Sequence, residues 1–282
     1  MIADQKDFIT PHITDSHTLD YPCFHTGYVC EYELPRWNPI HIGRFAIDIS
    51  PTRHVVMLWV AALLCITFTL LALRAHNRRT TAGKAPSGFG NGLEALVLWL
   101  RNEIVLPNVG PHGNGYVPYL LTLFFFILFA NLLGLVPYGA TATGNISVTA
   151  TLAIVTFIVI ELAGMKAQGK AYINTIVFWP HDMSLPMKLF ISPILTPIEL
   201  LGKFTKPFAL AIRLFANMTA GHVVLLALIS LIFTFARWVI VPIPVAMALA
   251  ISFLELFVAF LQAFIFTLLS SVFIGLIREG AH

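Results

Sequence analysis

The chain is poor in charge. It has 14 acidic and 17 basic residues among 282, or 11% charged, against about 25% in an ordinary soluble domain. The near balance of signs excludes both a strongly basic nucleic-acid surface and an acidic solvating tail. Much of the charge lies in residues 1–54 and 74–112, while long stretches have none. Such segregation fits solvation by lipid in some stretches and by water in others, and it does not fit one large soluble core.

Cysteine is scarce as well. Cys23, Cys30 and Cys65 make neither a disulfide framework nor a zinc pattern. Cys65 lies in an apolar run and reads as packing. Cys23 and Cys30 share an N-terminal segment, where they are either a bonded pair or two free thiols. His12 and His17 lie near Asp15, but their spacing is generic and fits a solvated tail better than a metal site. There is no nucleotide motif, Gly-rich phosphate loop or nucleophile triad, so neither a cofactor nor ATP hydrolysis by the chain alone is expected. Residues 1–30 contain no basic stretch followed by an apolar one. No cleavable signal peptide is therefore expected, and the first apolar run would act as the targeting signal.

What the chain has is apolar length: 57% of it is hydrophobic. A helix crossing a hydrocarbon core needs about 20 apolar residues. Five stretches satisfy this, Val55–Leu73, Val117–Val136, Ile146–Gly164, Phe208–Phe235 and Ile243–Ile277, each bounded by Pro, Gly or charge. The expected fold is an all-α membrane protein with five spans, the last two forming a long, strongly tilted antiparallel hairpin. Leu93–Val105 contains Glu94, Arg101 and Glu103 and reads as an amphipathic helix on the membrane surface. Residues 1–54 are expected to form an extracytoplasmic segment, and 55–282 the membrane domain.

Orientation follows from the basic residues. Arg74, Arg78, Arg79 and Lys84 follow the first span, and Lys166, Lys170, Lys188, Lys203 and Lys206 lie between the third and fourth. Arg278 follows the fifth, whereas the opposite loops, 137–145 and 236–242, hold Arg237 alone. Arg36, Arg44 and Arg53 pull weakly the other way. The N-terminus is expected outside and the C-terminus in the cytoplasm.

Ionisable groups inside spans are costly and mark function by default. The fourth stretch contains Arg213, Asn217 and His222, and the fifth contains Glu255 and Gln262. If Arg213 lies level with Gln262, then His222 and Glu255 both sit about 10–13 Å toward the outer side. They can then meet as a carboxylate–imidazole pair able to relay protons. Arg213 cannot relay, because a guanidinium keeps its proton. The pattern reads as a proton path ending at a fixed charge.

Here the sequence resembles subunit a of the F-type ATP synthases. The likeness rests on Leu210-Ala-Ile-Arg213-Leu-Phe-Ala-Asn217-Met-Thr-Ala-Gly221-His222, on Leu261-Gln262-Ala-Phe264-Ile-Phe and on Asn131-Leu-Leu-Gly-Leu-Val-Pro137. Pro197-Ile-Glu199-Leu and Asn145-Ile-Ser-Val-Thr also fit, and together these cover roughly residues 50–280. The resemblance implies a stator beside a rotating c-ring, held by peripheral-stalk b subunits and coupled indirectly to an F1 sector, in a bacterial-type inner membrane. It implies that Arg213 faces a ring carboxylate and separates two aqueous half-channels, with Asn217 and Gln262 beside it. His222 and Glu255 would form the outer relay, with acid and imidazole exchanged between helices relative to a familiar bacterial pattern. Glu199 would mark the cytoplasmic exit, and Asn131 and Thr151 would be polar positions in neighbouring spans. Gly134 stands where some members carry an acid. The competing reading is a secondary transporter binding a small anion at Arg213, but the chain shows no internal repeat.

Overall fold

The computed structural model of the chain describes residues 15–21, 30–42, 45–48, 50–81, 88–111, 113–136, 139, 141–172, 185–235 and 241–279. Four short strands come first: β1 (Thr18–Tyr21), β2 (Cys30–Glu33), β3 (Ile40–Ile42) and β4 (Phe45–Ile47). They pair as two separate antiparallel hairpins, β1 with β2 and β3 with β4. Among the described residues, the elements that follow are helices. They are α1 (Arg53–Thr81), α2 (Phe89–Trp99), a π-helical stretch (Leu100–Val105) leading into α3 (Leu106–Val109), α4 (Val117–Gly134), α5 (Ile146–Gln168), α6 (Leu185–Phe235) and α7 (Pro242–Glu279).

Five of these are long and apolar enough to cross a membrane, over Arg53–Arg74, Gly113–Gly134, Ile146–Gln168, Phe190–Ile232 and Pro242–Glu279. Helix is the form that satisfies every backbone polar group within one segment, which lipid demands. The chain is a multi-pass, all-α membrane protein with a small β-structured N-terminal segment. Those hairpins were not expected from the sequence.

The fourth helix corrects the expected boundary. It starts at Leu185 instead of Phe208 and runs for 51 residues through Pro193, Pro197 and Pro207. Each proline removes a backbone donor, and the helix continues through all three. Lys203 and Lys206 are on the helix too. Lys203 lies 3.4 Å from the Glu161 carboxylate, and the Lys206 ammonium sits 5.3 Å from the centre of the Phe273 ring.

By internal packing the chain divides into two units. One comprises residues up to Leu71 with Phe125–Val148 and Leu214–Ala263, and the other Ala72–Phe124, Thr149–Arg213 and the stretch from Phe264 onward. In the first, the N-terminal segment is tied to the start of α1. The Arg53 N–H donates to the Ser16 carbonyl at 2.9 Å, and the Leu34 N–H donates to that of His17 at 2.7 Å. Asp48 and Ser50 form a local knot at 2.5 Å, and Ser50's hydroxyl and N–H hold the Asp48 carboxyl below its ordinary range. Asn145 caps α5, its Oδ1 accepting the Ser147 N–H at 2.9 Å.

In the second unit, Val105, Val109, Val117, Leu120, Ile160, Ala163 and Ile274 form a buried core. The helix expected at 93–105 is therefore present, extended at both ends, and its C-terminal part is packed into protein. Gly275 leaves room for the Asn108 carbonyl against α7. Arg278 fastens the end of α7, donating to the carbonyls of Val109 and Pro111, both at 2.7 Å.

Of the sequence expectations, Cys23, His12, Lys84, Arg44 and Arg237 lie outside the described residues. Cys65 is a buried free thiol in α1, as read.

Candidate functional site

In the first unit, α6 and α7 carry the polar groups that their apolar surroundings make conspicuous. His222 on α6 lies 3.5 Å from Glu255 on α7, Nδ1 facing Oε1. The other ring nitrogen, Nε2, is 2.5 Å from the Thr141 hydroxyl. The histidine is thus held at both nitrogens, one by an acid and one by a group able to donate or accept. Glu255 is 7% exposed, and among the described residues its Oε2 has no hydrogen-bond partner. A buried carboxyl with one idle oxygen is costly unless that oxygen takes a proton or meets water.

Two glycines make this arrangement possible. A Cβ on Gly221 would collide with the Glu255 carboxylate, and one on Gly134 would collide with the Thr141 hydroxyl. The second clash explains why position 134 carries no acid: the hydroxyl serving His222 occupies the space that its side chain would need.

Gln262 bonds to Asn217, whose Nδ2 donates to Oε1 at 2.9 Å, and not to Arg213. The Asn217–Gln262 bond and the His222–Glu255 pair both join α6 to α7. Gln262 is 2% exposed, and among the described residues its Nε2 has no partner.

Asn131 on α4 is fully buried. It accepts from the Thr143 hydroxyl at 2.7 Å and donates to the Ala259 carbonyl at 3.2 Å, joining α4 to α7. Thr219 donates to the Gly144 carbonyl at 3.4 Å. The short turn at residues 141–145 is therefore part of the site, through Thr141, Thr143 and Gly144. Sequence reasoning missed the roles of Thr141 and Thr143. The only signal was a run of small polar residues between two spans.

Arg213 stands on the exposed face of α6, with Ala209, Ala216, Asn217 and Ala220. The opposite face, Leu210, Leu214 and Met218, is buried. Among the described residues Arg213 has neither a hydrogen-bond nor an ion-pair partner. It is a full positive charge on an apolar helix, bordered by side chains small enough for another helix to come close.

The second unit holds Glu199 on α6, in the wall of a cavity of about 390 Å³. Glu161, Lys203, Lys206 and Phe273 share that wall. Lys203 bridges Glu161 and the Tyr172 hydroxyl, both at 3.4 Å. Glu161 and Tyr172 were not foreseen, because a single acid near a helix end carries no pattern. Thr151 belongs to this unit too and is exposed on α5.

The chain is similar to known proteins along most of its length. The ATP synthase A chain family pattern matches residues 55–275. The chain is 46% identical to "ATP synthase subunit a 2" of Chlorobaculum tepidum, over 97% of this chain and 74% of the relative. It is 48% identical to the protein of the same name from Chlorobium luteolum, over 97% and 76%. To "ATP synthase subunit a" of Anaeromyxobacter dehalogenans it is 44% identical, over 95% and 69%. A match spanning every membrane helix, together with relatives this similar along nearly the whole chain, shows that the chain belongs to the ATP synthase A chain family.

Proposed function

We propose that this chain is the proton-conducting stator of a membrane rotary motor, with Arg213 as the fixed charge against which ring carboxylates pass. The observation that carries the reading is Arg213 itself, exposed, unpartnered among the described residues and flanked by alanines. A charge in that setting needs a counter-ion, and an exposed one on a small-residue face takes it from another protein. The partner is a ring of hairpin subunits, each with a mid-membrane carboxyl group. The b subunits of a peripheral stalk hold the chain still, and the F1 sector does the nucleotide chemistry. The chain has no catalysis of its own.

The length of α6 and α7 supports the same partner. If straight, their 51 and 38 residues would run about 75 Å and 57 Å, far beyond an upright span. They must lie strongly inclined. Only 6% of the most apolar part of α6 is buried within the chain, which leaves the rest to face lipid or a ring.

Protons enter from outside by His222 and Glu255. They neutralise a ring carboxylate that has just left Arg213, and the neutral carboxyl can then turn through lipid. At the end of the turn it releases its proton into the cavity beside Glu199, open to the cytoplasm. Arg213 favours the charged form during the short return, so protons cannot cross without rotation. Asn217 and Gln262 flank the passage, and Asn131 and Thr151 line neighbouring spans. Each charge crossing the membrane contributes about 2.3 kcal/mol per 100 mV. The N-terminus and residues 1–54 lie outside, the C-terminus lies inside, and the membrane is a bacterial-type inner membrane. The carboxylate–imidazole pair suits protons better than sodium. An anion transporter would enclose its arginine in a cavity, and here the arginine is exposed.

In Arg213→Ala, reconstituted with the whole complex, proton-driven ATP synthesis is expected to vanish while passive proton leak persists. Normal synthesis in that variant would overturn the assignment.

A further inference from the structure

The outer path does not stop at His222. The turn at 141–145, whose Thr141 holds the His222 ring, also carries Asn145, and Asn145 faces another histidine, which is buried. His54, at the start of α1, is 4% exposed. Its Nδ1 lies 2.9 Å from Asp15 Oδ1 and 3.3 Å from Asn145 Nδ2.

Those two partners make opposite demands. A carboxylate oxygen only accepts, so Asp15 bonds Nδ1 when that nitrogen carries a proton. An amide nitrogen only donates, so Asn145 bonds Nδ1 when it does not. The Asn145 amide is oriented by its other end, since Oδ1 already accepts the Ser147 N–H in capping α5. One ring nitrogen therefore has a partner in each of its protonation states. A histidine serving only as packing needs one of them. A group that loads and unloads a proton needs both.

We propose that His54 is the outermost proton-loading residue of the uptake path, and that Asp15 and Asn145 are its positioning residues. The proposal rests on the function assigned above and extends it outward to the N-terminal segment. In the step itself a proton from outside water binds His54 Nδ1 and is held against Asp15. It then passes to water at the polar turn that carries Asn145 and Thr141, and from that water to His222, and Nδ1 accepts from Asn145 until the next proton arrives. The charged groups facing the ring are Asp15, from the N-terminal segment, and Arg53, its neighbour on α1. The turn presents Asn145 to it and no titratable group. Asp15 Oδ1 also lies 3.4 Å from the His54 N–H, at the start of α1. A structural role as helix cap therefore competes with the proposed one.

The two roles separate in whole ATP synthase reconstituted in vesicles, with ATP synthesis followed as the outer pH alone is varied. In His54→Gln the rate at neutral outer pH should fall about tenfold and recover largely at acid outer pH, as expected when a proton-loading group is lost and protons must arrive directly from water. Asp15→Asn keeps the shape and a cap, yet should move the half-maximal outer pH in the same direction by a smaller amount, and Asp15→Glu should restore it. The double variant should match His54→Gln alone, because Asp15 acts through the ring. Dependence on inner pH should not change in any of them. Variants that assemble and keep the wild-type outer-pH profile would overturn the proposal, as would a shift in the inner-pH profile. Arg213→Ala run in parallel keeps the two readings apart. If it is inactive while the His54 and Asp15 profiles are unchanged, the stator stands and His54 has no loading role.

Discussion

A methyl group at position 221 would occupy the space of the Glu255 carboxylate. Positioned acid–base groups contribute about 100-fold or more, so Gly221→Ala should lower proton-driven synthesis by about tenfold without abolishing it. Glu255→Asp, one methylene shorter, should recover part of that loss when combined with it. Equal rates in Gly221→Ala and the parent would remove Glu255 from the path. His222 is expected to act more directly: His222→Ala slows uptake and changes its dependence on outer pH. An unchanged profile would leave the ring only a structural part. Asn217→Leu would strip the buried Gln262 of its bond to Asn217, at a cost of about 1–3 kcal/mol, read as a lower melting temperature of the solubilised complex.

At the scale of elements, the fastening of α7 is the simplest to test. Arg278 donates two bonds of 2.7 Å to carbonyls at the end of α3 and beyond. Arg278→Ala should cost about 2–3 kcal/mol and raise hydrogen exchange over residues 106–111 while leaving α6 protected. The N-terminal segment carries its own pH signature. Asp48 is held below the usual carboxylate range by Ser50, so its contribution is present above that range and is lost as pH falls through the lowered value. Exchange around residues 48–50 should thus stay flat from neutral pH to mildly acid pH and rise only in strong acid. Ser50→Ala should bring the rise to a higher pH.

Helix content and span number were legible because hydropathy over about 20 residues is a strong, local signal. The start of α6 was not. Three prolines and two lysines before Phe208 bound the apolar run, and only contacts of Lys203 with Glu161 and of Lys206 with Phe273 show them on a helix. Arg213, His222 and Glu255 were legible as expensive charges in apolar runs. The bond between Asn217 and Gln262 was not, since the two meet through packing that a linear pattern does not encode. Thr141, Thr143 and His54 escaped notice for a related reason. Each is ordinary alone and acquires a role through a contact many positions away, Thr141 with His222 and His54 with Asp15.

For the whole molecule, the proposed function gives this chain half of an active site. Under that proposal the other half is a carboxyl group on a second protein. Gentle solubilisation should retain a ring of small hairpin proteins and a soluble ATPase head with it. Tags at the two ends should be reachable from opposite faces of the membrane, the N-terminal one from outside. The most direct measurement is a map of the complete complex that resolves water and the ring. It should show the Arg213 guanidinium facing a ring carboxylate, with water from outside ending near His222 and Glu255. Water from the cytoplasm should end near Glu199, and the two columns should not meet. A single continuous pore, or a ring whose carboxyl groups never approach Arg213, would contradict the account.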